Sequence, residues 1–282
     1  MAKEEFKSEK FLDIEKAIKD KNPRLLKLMP RFLLRYMKRI IHQDDMNQII
    51  ENAEDKKGLL FIKSCFKDMG ITYEVDGEEN IPSEGRFLFI SNHPLGGLDG
   101  MVLIDLIGEH HPDVKFVVND LLMNIKKLQP VFAPVNKHGR QSTEYARILD
   151  DMYSSNSQVL YFPAGLCSRK IKGKIVDLDW KKTIVTKAIK YKRDIIPIFF
   201  EGRNSNFFYN LSNFRKRIGV KANIEMFYLV NEMFKQSNKK LRLKIGQPIP
   251  WQTFNKSRNA KEWTDALKKV IYALGAGENA NL

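Results

Sequence analysis

The strongest constraint on the fold of this chain is a short apolar run, Phe87-Leu88-Phe89-Ile90. It gives way at once to a glycine-rich segment, residues 92–100, and then to a second apolar run, residues 101–107. Four hydrophobes bounded by turn residues read as a buried strand, and the longer run after the glycines reads as a helix. A buried strand joined through a tight turn to a helix is the repeating unit of a parallel sheet covered on both faces. The alternation recurs along the chain, with strands predicted near 71–75, 87–91, 114–118, 131–135, 158–162, 195–199 and 241–245. Helices are predicted before them, near 5–20, 23–41 and 44–68, with Asn22-Pro23 as a start signal and Gly70 as a stop. The expected fold is therefore α/β, a mostly parallel sheet flanked by helices. An N-terminal helical segment covers 1–70, the α/β domain 71–274, and a frayed tail 275–282.

The glycine-rich turn holds His93 and Asp99, six residues apart, at the exit of the strand. Turns at the carboxyl ends of strands are where α/β sheets place their ligands. A neutral imidazole there can take a proton from a substrate hydroxyl while the carboxylate accepts from its other nitrogen. The residues themselves are equally good turn chemistry, with Asp99 capping a helix that starts at Gly100.

Charge narrows the partners. The 282 residues carry a net charge of +14, which suits an anionic membrane surface, an acidic carrier protein or a nucleic acid. No interleaving of aromatic and basic residues suggests a nucleic-acid surface, so none is expected. Residues 21–39 contain seven basic side chains (Lys21, Arg24, Lys27, Arg31, Arg35, Lys38 and Arg39) and no acidic one. On a helical wheel the basic residues oppose Leu25, Met29, Phe32, Leu33, Tyr36 and Ile40. Such a helix either anchors at a membrane interface or packs its apolar stripe on the domain, and Pro30 kinks or divides it. Residues 169–193 form a second basic zone, in which Arg169, Lys170, Lys172, Lys174, Lys181, Lys182, Lys187, Lys190, Lys192 and Arg193 outnumber Asp177 and Asp179. Cys65 and Cys167 stand too far apart for a disulfide framework or metal-ligand spacing, and a reduced compartment is the default. No secretory signal is expected in the mixed-charge first twenty residues, and the longest apolar run, 195–200, is far short of the roughly 20 residues that span a bilayer.

Three further segments follow His93 and Asp99 in a characteristic order: Val131-Phe132-Ala133-Pro134-Val135-Asn136 with Gly139-Arg140, then Phe162-Pro163-Ala164-Gly165-Leu166-Cys167-Ser168-Arg169, then Ile195-Ile196-Pro197-Ile198. Together with the His93 block they resemble the four sequence blocks of the lysophospholipid (glycerolipid) acyltransferases, over roughly residues 70–250. The resemblance departs in three places. Five residues, not four, separate His93 from Asp99, which calls for a bulged turn through Gly96 and Gly97; Asn136 replaces an arginine; Ala164 replaces a glutamate. The last two argue against an ordinary phosphoglycerol acceptor. Residues 202–209, Gly-Arg-Asn-Ser-Asn-Phe-Phe-Tyr, with the proline-glycine-glycine form of the His93 block, resemble the hemolysin-like branch of the family. That branch is associated with acyl transfer to lyso-aminolipids.

The resemblance implies a membrane-associated O-acyltransferase with no bound cofactor or metal, using an acyl carrier protein or coenzyme A thioester as co-substrate. The acceptor is expected to be a lyso-aminolipid of the ornithine or glycine type. A lysophosphatidate or lysophospholipid acceptor and a non-catalytic, membrane-binding hemolysin-like protein are the alternatives. The location expected is the cytoplasmic face of the inner membrane, peripherally attached. His93 and Asp99 are the catalytic candidates. Asn92, Gly96, Gly97, Arg140, Phe162, Pro163, Gly165, Ser168, Arg169 and Arg203 are the substrate-binding candidates, with the Gly165 amide at the oxyanion and Arg169 on an anionic group. Cys167 reads as a packed thiol, and Phe207, Phe208, Tyr209 and Phe214 as either an acyl tunnel or core.

Overall fold

Residues 12–119, 123, 125–135, 142–278 and 282 are described by the structure, a computed structural model. Helix α1 (Ile14–Lys21) is capped by Asp13, whose side chain accepts from the Glu15 and Lys16 amides. The basic segment then forms two short helices, α2 (Pro23–Leu28), capped by Asn22, and α3 (Arg31–Ile40), because Pro30 cannot continue α2. Neither buries a residue: Leu25, Leu28, Phe32, Leu33 and Tyr36 are all exposed, so the apolar stripe does not pack away on the domain. The single helix expected over 44–68 is two, α4 (Gln43–Asn52) and α5 (Gly58–Met69). They are broken where Glu54 and Gly58 take left-handed φ values of 47° and 55°.

The α/β part follows as β1 (Thr72–Asp76), β2 (Phe87–Ser91), α6 (Gly97–His110), β3 (Val114–Asn119), β4 (Phe132–Val135), α7 (Ser142–Ser154) and β5 (Gln158–Tyr161). A hairpin of β6 (Arg169–Ile171) and β7 (Lys174–Val176) opens the second basic zone. Then come α8 (Thr183–Tyr191), β8 (Asp194–Glu201), α9 (Asn206–Arg217), α10 (Leu229–Phe234), β9 (Lys240–Ile245) and α11 (Ala260–Ala276). Seven strands form one sheet in the order β1-β9-β8-β2-β5-β3-β4, and only the β8–β9 pairing is antiparallel. All seven strands expected from sequence are present.

Alternation along β2 shows why both faces must be covered. Phe87 and Phe89 join one core with residues of α5 and α6, among them Phe61, Ile62, Val102 and Leu103. Leu88 and Ile90 point the other way into a core with Ile184 and Val185 of α8 and Leu267 and Ile271 of α11. Each such side chain contributes about 1.5–3 kcal/mol on leaving water, so β2 is held from both faces. The expected tail at 275 is corrected: α11 runs to Ala276 and ends at Gly277, whose φ of 76° closes it. Gly275 belongs to the helix because it presses on Phe199, whose ring would lie 2.5 Å from any Cβ there. Among the described residues no helix is long and apolar enough to cross a membrane.

Arg193, counted in the second basic zone, is fully buried and donates to the backbone carbonyls of Met152, Tyr153, Ser155, Ser157 and Phe87. Burial, aided by the charge of Arg86, pushes its guanidinium down to about 10. It ties α7 and β5 to β2 and offers no charge to a partner.

Candidate active site

Strands β8, β2 and β5 are adjacent and parallel, so their carboxyl ends and the loops after them lie along one edge of the sheet. The loop after β2 carries His93, the loop after β5 carries the Phe162–Ser168 segment's residues 162–168, and the loop after β8 carries residues 202–205. Three backbone and side-chain ties pull them together. The Ser168 amide donates to the His93 carbonyl at 2.7 Å, the Asn204 side chain donates to the Pro94 carbonyl at 3.1 Å, and the Phe162 ring stacks on the His93 imidazole at 4.0 Å.

His93 Nδ1 lies 3.1 Å from Asp99 Oδ2. Asp99 is wholly buried, whereas the His93 side chain keeps 16 % of its surface exposed. The same Asp99 oxygen accepts from the Leu95 amide at 2.9 Å, and its other oxygen from the Gly100 amide at 3.2 Å. With Nδ1 so engaged, Nε2 is the ring nitrogen that faces away from Asp99. The extra residue between His93 and Asp99 is absorbed at Gly96, with φ 86° and ψ −125°, where a Cβ would also press within 3.1 Å of Leu229. Gly97 needs no such freedom; α6 begins there, three residues earlier than the start at Gly100 considered from sequence. Asp99 thus sits in the first turn of α6 rather than capping it. Two open cavities, about 430 Å³ beside Glu74 and Arg242 and about 310 Å³ beside Phe132 and Met152, lie away from this site. The His93 side chain keeps its exposed part at the carboxyl edge of the sheet.

The residue that sequence reasoning missed is Asp177. Its carboxylate is buried and accepts from the His93 amide at 3.2 Å, the Ser168 hydroxyl at 2.6 Å and the Trp180 indole at 2.9 Å. Helix α11 holds its backbone in turn: the Asp177 amide donates to the Tyr272 hydroxyl and the Lys268 ammonium to the Asp177 carbonyl, both at 2.8 Å. The available signal was a pair of acids, Asp177 and Asp179, set among bases, the first of them 84 residues from His93.

The other candidates divide by what their polar atoms already do. The Asn92 amide is spent on β8, donating to the Phe200 carbonyl at 2.9 Å and accepting from the Phe200 amide at 2.7 Å. Ser168 is likewise turned to Asp177. The Gly165 amide, expected at the oxyanion, is taken by the Phe162 carbonyl at 3.0 Å in a turn for which Gly165 adopts φ 65°. Pro163 is buried, its carbonyl accepting from the Lys181 amide at 3.1 Å, and the Lys181 ammonium lies 3.2 Å from where a Gly165 Cβ would stand. Arg169, expected to hold an anionic group, is buried and paired at 3.0 Å with the buried Glu225, which also takes Arg215. Two buried guanidiniums on one carboxylate satisfy charges that would be costly alone, so Arg169 has no charge to spend on substrate. Burial by itself raises the Glu225 carboxyl, but the Arg215 hydrogen bond and both positive charges outweigh it and hold it below the usual range. Arg203 is exposed, steadied by the Asn206 side chain at 2.5 Å. Arg140 lies outside the described residues. Cys167 is buried and burial pushes its thiol up to about 11, against the pull of Arg169. Phe208 and Tyr209 are core, while Phe207 and Phe214 are exposed.

The loops after β2, β5 and β8 thus hold a histidine, oriented by a buried carboxylate, at the carboxyl ends of parallel strands. The chain belongs to the acyltransferase family, whose sequence model matches residues 16–281. It is 45% identical to a lyso-glycine lipid O-acyltransferase of Bacteroides thetaiotaomicron, over 93% of this chain and 97% of that one. It is 46% identical to another of that name from Phocaeicola vulgatus, over 93% and 95%. The crystal structure of the 1-acyl-sn-glycerophosphate acyltransferase PlsC from Thermotoga maritima shares the fold, with a TM-score of 0.50 and 17% identity over 93% of this chain and 92% of that one. The protein is an acyltransferase acting in lipid metabolism, and its α/β fold is of the glycerolipid acyltransferase kind.

Proposed function

We propose that the protein transfers a fatty acyl group from an acyl carrier protein or coenzyme A thioester to the hydroxyl of a lyso-aminolipid of the glycine type. The observation that carries the reaction is the 3.1 Å contact between His93 and the wholly buried Asp99. His93 Nε2 takes the proton of the acceptor hydroxyl as its oxygen attacks the thioester carbonyl. Asp99 fixes the tautomer and stabilises the imidazolium while staying ionised. Collapse breaks the carbon–sulfur bond, and the leaving thiolate takes the proton back from His93. No covalent acyl-enzyme forms.

The glycine-type acceptor is supported by the names of the two bacterial relatives. A glycine headgroup ends in a carboxylate, and the exposed Arg203, in the loop after β8, is a cation able to receive it. Ala164 is buried in the core where glycerophosphate-specific relatives carry a glutamate, which disfavours a phosphoglycerol acceptor. Attachment to the cytoplasmic face of the inner membrane is supported by the exposed apolar residues of α2 and α3 beside Arg24, Lys27, Arg31 and Arg35. The test is purified protein with labelled acyl carrier protein or acyl-coenzyme A and a panel of lyso-lipids. Transfer to lyso-glycine lipid, abolished by His93→Ala, is expected. Preference for lysophosphatidate would overturn the acceptor, and turnover untouched by the substitution would overturn the mechanism.

A further inference from the structure

Helix α9 wears a second apolar stripe on its outside. Phe207, Leu211, Phe214 and Ile218 recur at helical spacing, whereas Phe208, Ser212 and Arg215 at the neighbouring positions are buried. Phe207, Phe214 and Ile218, with Phe227 from the 3-10 turn Ile224–Tyr228, are each half or more exposed. The stripe is joined to α3. The Tyr228 ring packs edge-on against Phe207 at 4.9 Å, and its hydroxyl shares a 2.6 Å hydrogen bond with that of Tyr36. Of the sixteen large apolar side chains exposed among the described residues, ten fall in just these two places, 25–36 and 207–227. A soluble surface scatters such residues; concentration marks a contact. Both places have a cationic fringe, Arg31 and Arg35 on α3 and Lys216, Arg217 and Lys221 at the far end of α9, all exposed. The near end of α9 abuts the site, since Asn204, just before its Ser205 cap, holds the Pro94 carbonyl.

We propose that this face of α9 and its 3-10 turn is a second bilayer contact, continuous through Tyr36 and Tyr228 with α3, which seats the His93 edge against an anionic lipid surface. The charge decides the occupant. A second copy of the chain would bring the same cations against this fringe, whereas anionic headgroups neutralise it and acyl chains receive the phenylalanines. An acceptor lipid then reaches His93 along α9 without passing through water. This last step rests on the acyl-transfer reading; the contact itself does not.

The experiment is flotation of the full chain with vesicles of phosphatidylglycerol and phosphatidylethanolamine, comparing the protein with Phe214→Asp/Ile218→Asp, alongside thermal melts and size-exclusion chromatography. The double substitution is expected to weaken vesicle binding about tenfold or more. It should lower turnover of an acceptor embedded in vesicles while sparing a short-chain acceptor dissolved as monomer. Unchanged vesicle binding overturns the proposal, as does loss of a dimer with vesicle binding retained. Should the double variant melt early, Phe227→Asp decides by the same readouts. If no form of the protein turns over any acceptor yet the vesicle loss is seen, the acyl-transfer reading fails and the bilayer contact stands.

Discussion

Two regions of this molecule invert the usual pattern of burial, in opposite senses. At the carboxyl ends of β2, β5 and β8 the polar groups are inside: Asp99, Asp177, Asn92 and Ser168 are all buried, and each is hydrogen-bonded. On α2, α3 and the outer face of α9 apolar groups are outside, and α2 and α3 bury no residue at all. The first inversion is stable because every buried carboxylate has its donors, so desolvation is repaid within the protein. The second has no such repayment within the chain, which is what an apolar surrounding would supply. On the proposed function the first region is the machinery of the reaction and the second its setting.

Substitutions at the interior should therefore alter chemistry, and those on the exterior should alter only where the protein sits. The largest effect is expected for His93→Ala, a fall in kcat of about 10²–10⁴-fold with the melting temperature preserved. A comparable loss of fold in that variant would erase the distinction. Asp177→Asn comes next. An amide cannot accept from the His93 amide, the Ser168 hydroxyl and the Trp180 indole together, so His93 should shift, with kcat down by roughly 10–100-fold and KM for the acceptor little changed. If KM rises instead with kcat intact, Asp177 belongs to binding rather than to positioning.

A pH series tests the interior on its other side, at the Arg169–Glu225–Arg215 cluster. Because the folded Glu225 carboxyl is held below its unfolded value of about 4.3, its contribution is present above that pH and lost as pH falls through the lowered folded value. The gap in melting temperature between the protein and Glu225→Gln should accordingly narrow as pH falls below about 4.3; a gap independent of pH contradicts it. On the exterior, Phe32→Asp should change stability by no more than about 0.5 kcal/mol while weakening binding to anionic vesicles, less so at high salt, where the repulsion of the added carboxylate is screened. Smallest of all, neither thiol should be alkylated by iodoacetamide at pH 8, since burial pushes Cys65 up to about 12 and Cys167 up to about 11. Rapid modification of Cys167 with inactivation would place a nucleophile where the structure has a packing residue.

Much of the site was legible in the residues. His93, Asp99 and the bulge through Gly96 could be read from one turn because all lie within ten positions of β2, and local spacing dictates which groups a turn can bring together. Helix breaks at Pro30 were legible for the same reason. Arg169 was not: whether a guanidinium meets a substrate or a Glu225 56 residues away depends on how α9 and its 3-10 turn fold back, which no periodicity records. The assignment of the Gly165 amide failed likewise, since its acceptor is the carbonyl of Phe162 in a turn whose closure only coordinates reveal.

What the chain decided alone was its alternation of strand and helix and the pairing of one imidazole with one carboxylate, because hydrophobic period and short-range geometry are written residue by residue. What folding in three dimensions decided was which distant charges are cancelled and which apolar stripes stay uncovered. Asp177 reaches His93, Glu225 silences Arg169, and α3 meets α9 through Tyr36 and Tyr228, all by contacts across more than fifty positions. Such contacts follow from sheet order and helix docking, and a linear pattern carries neither.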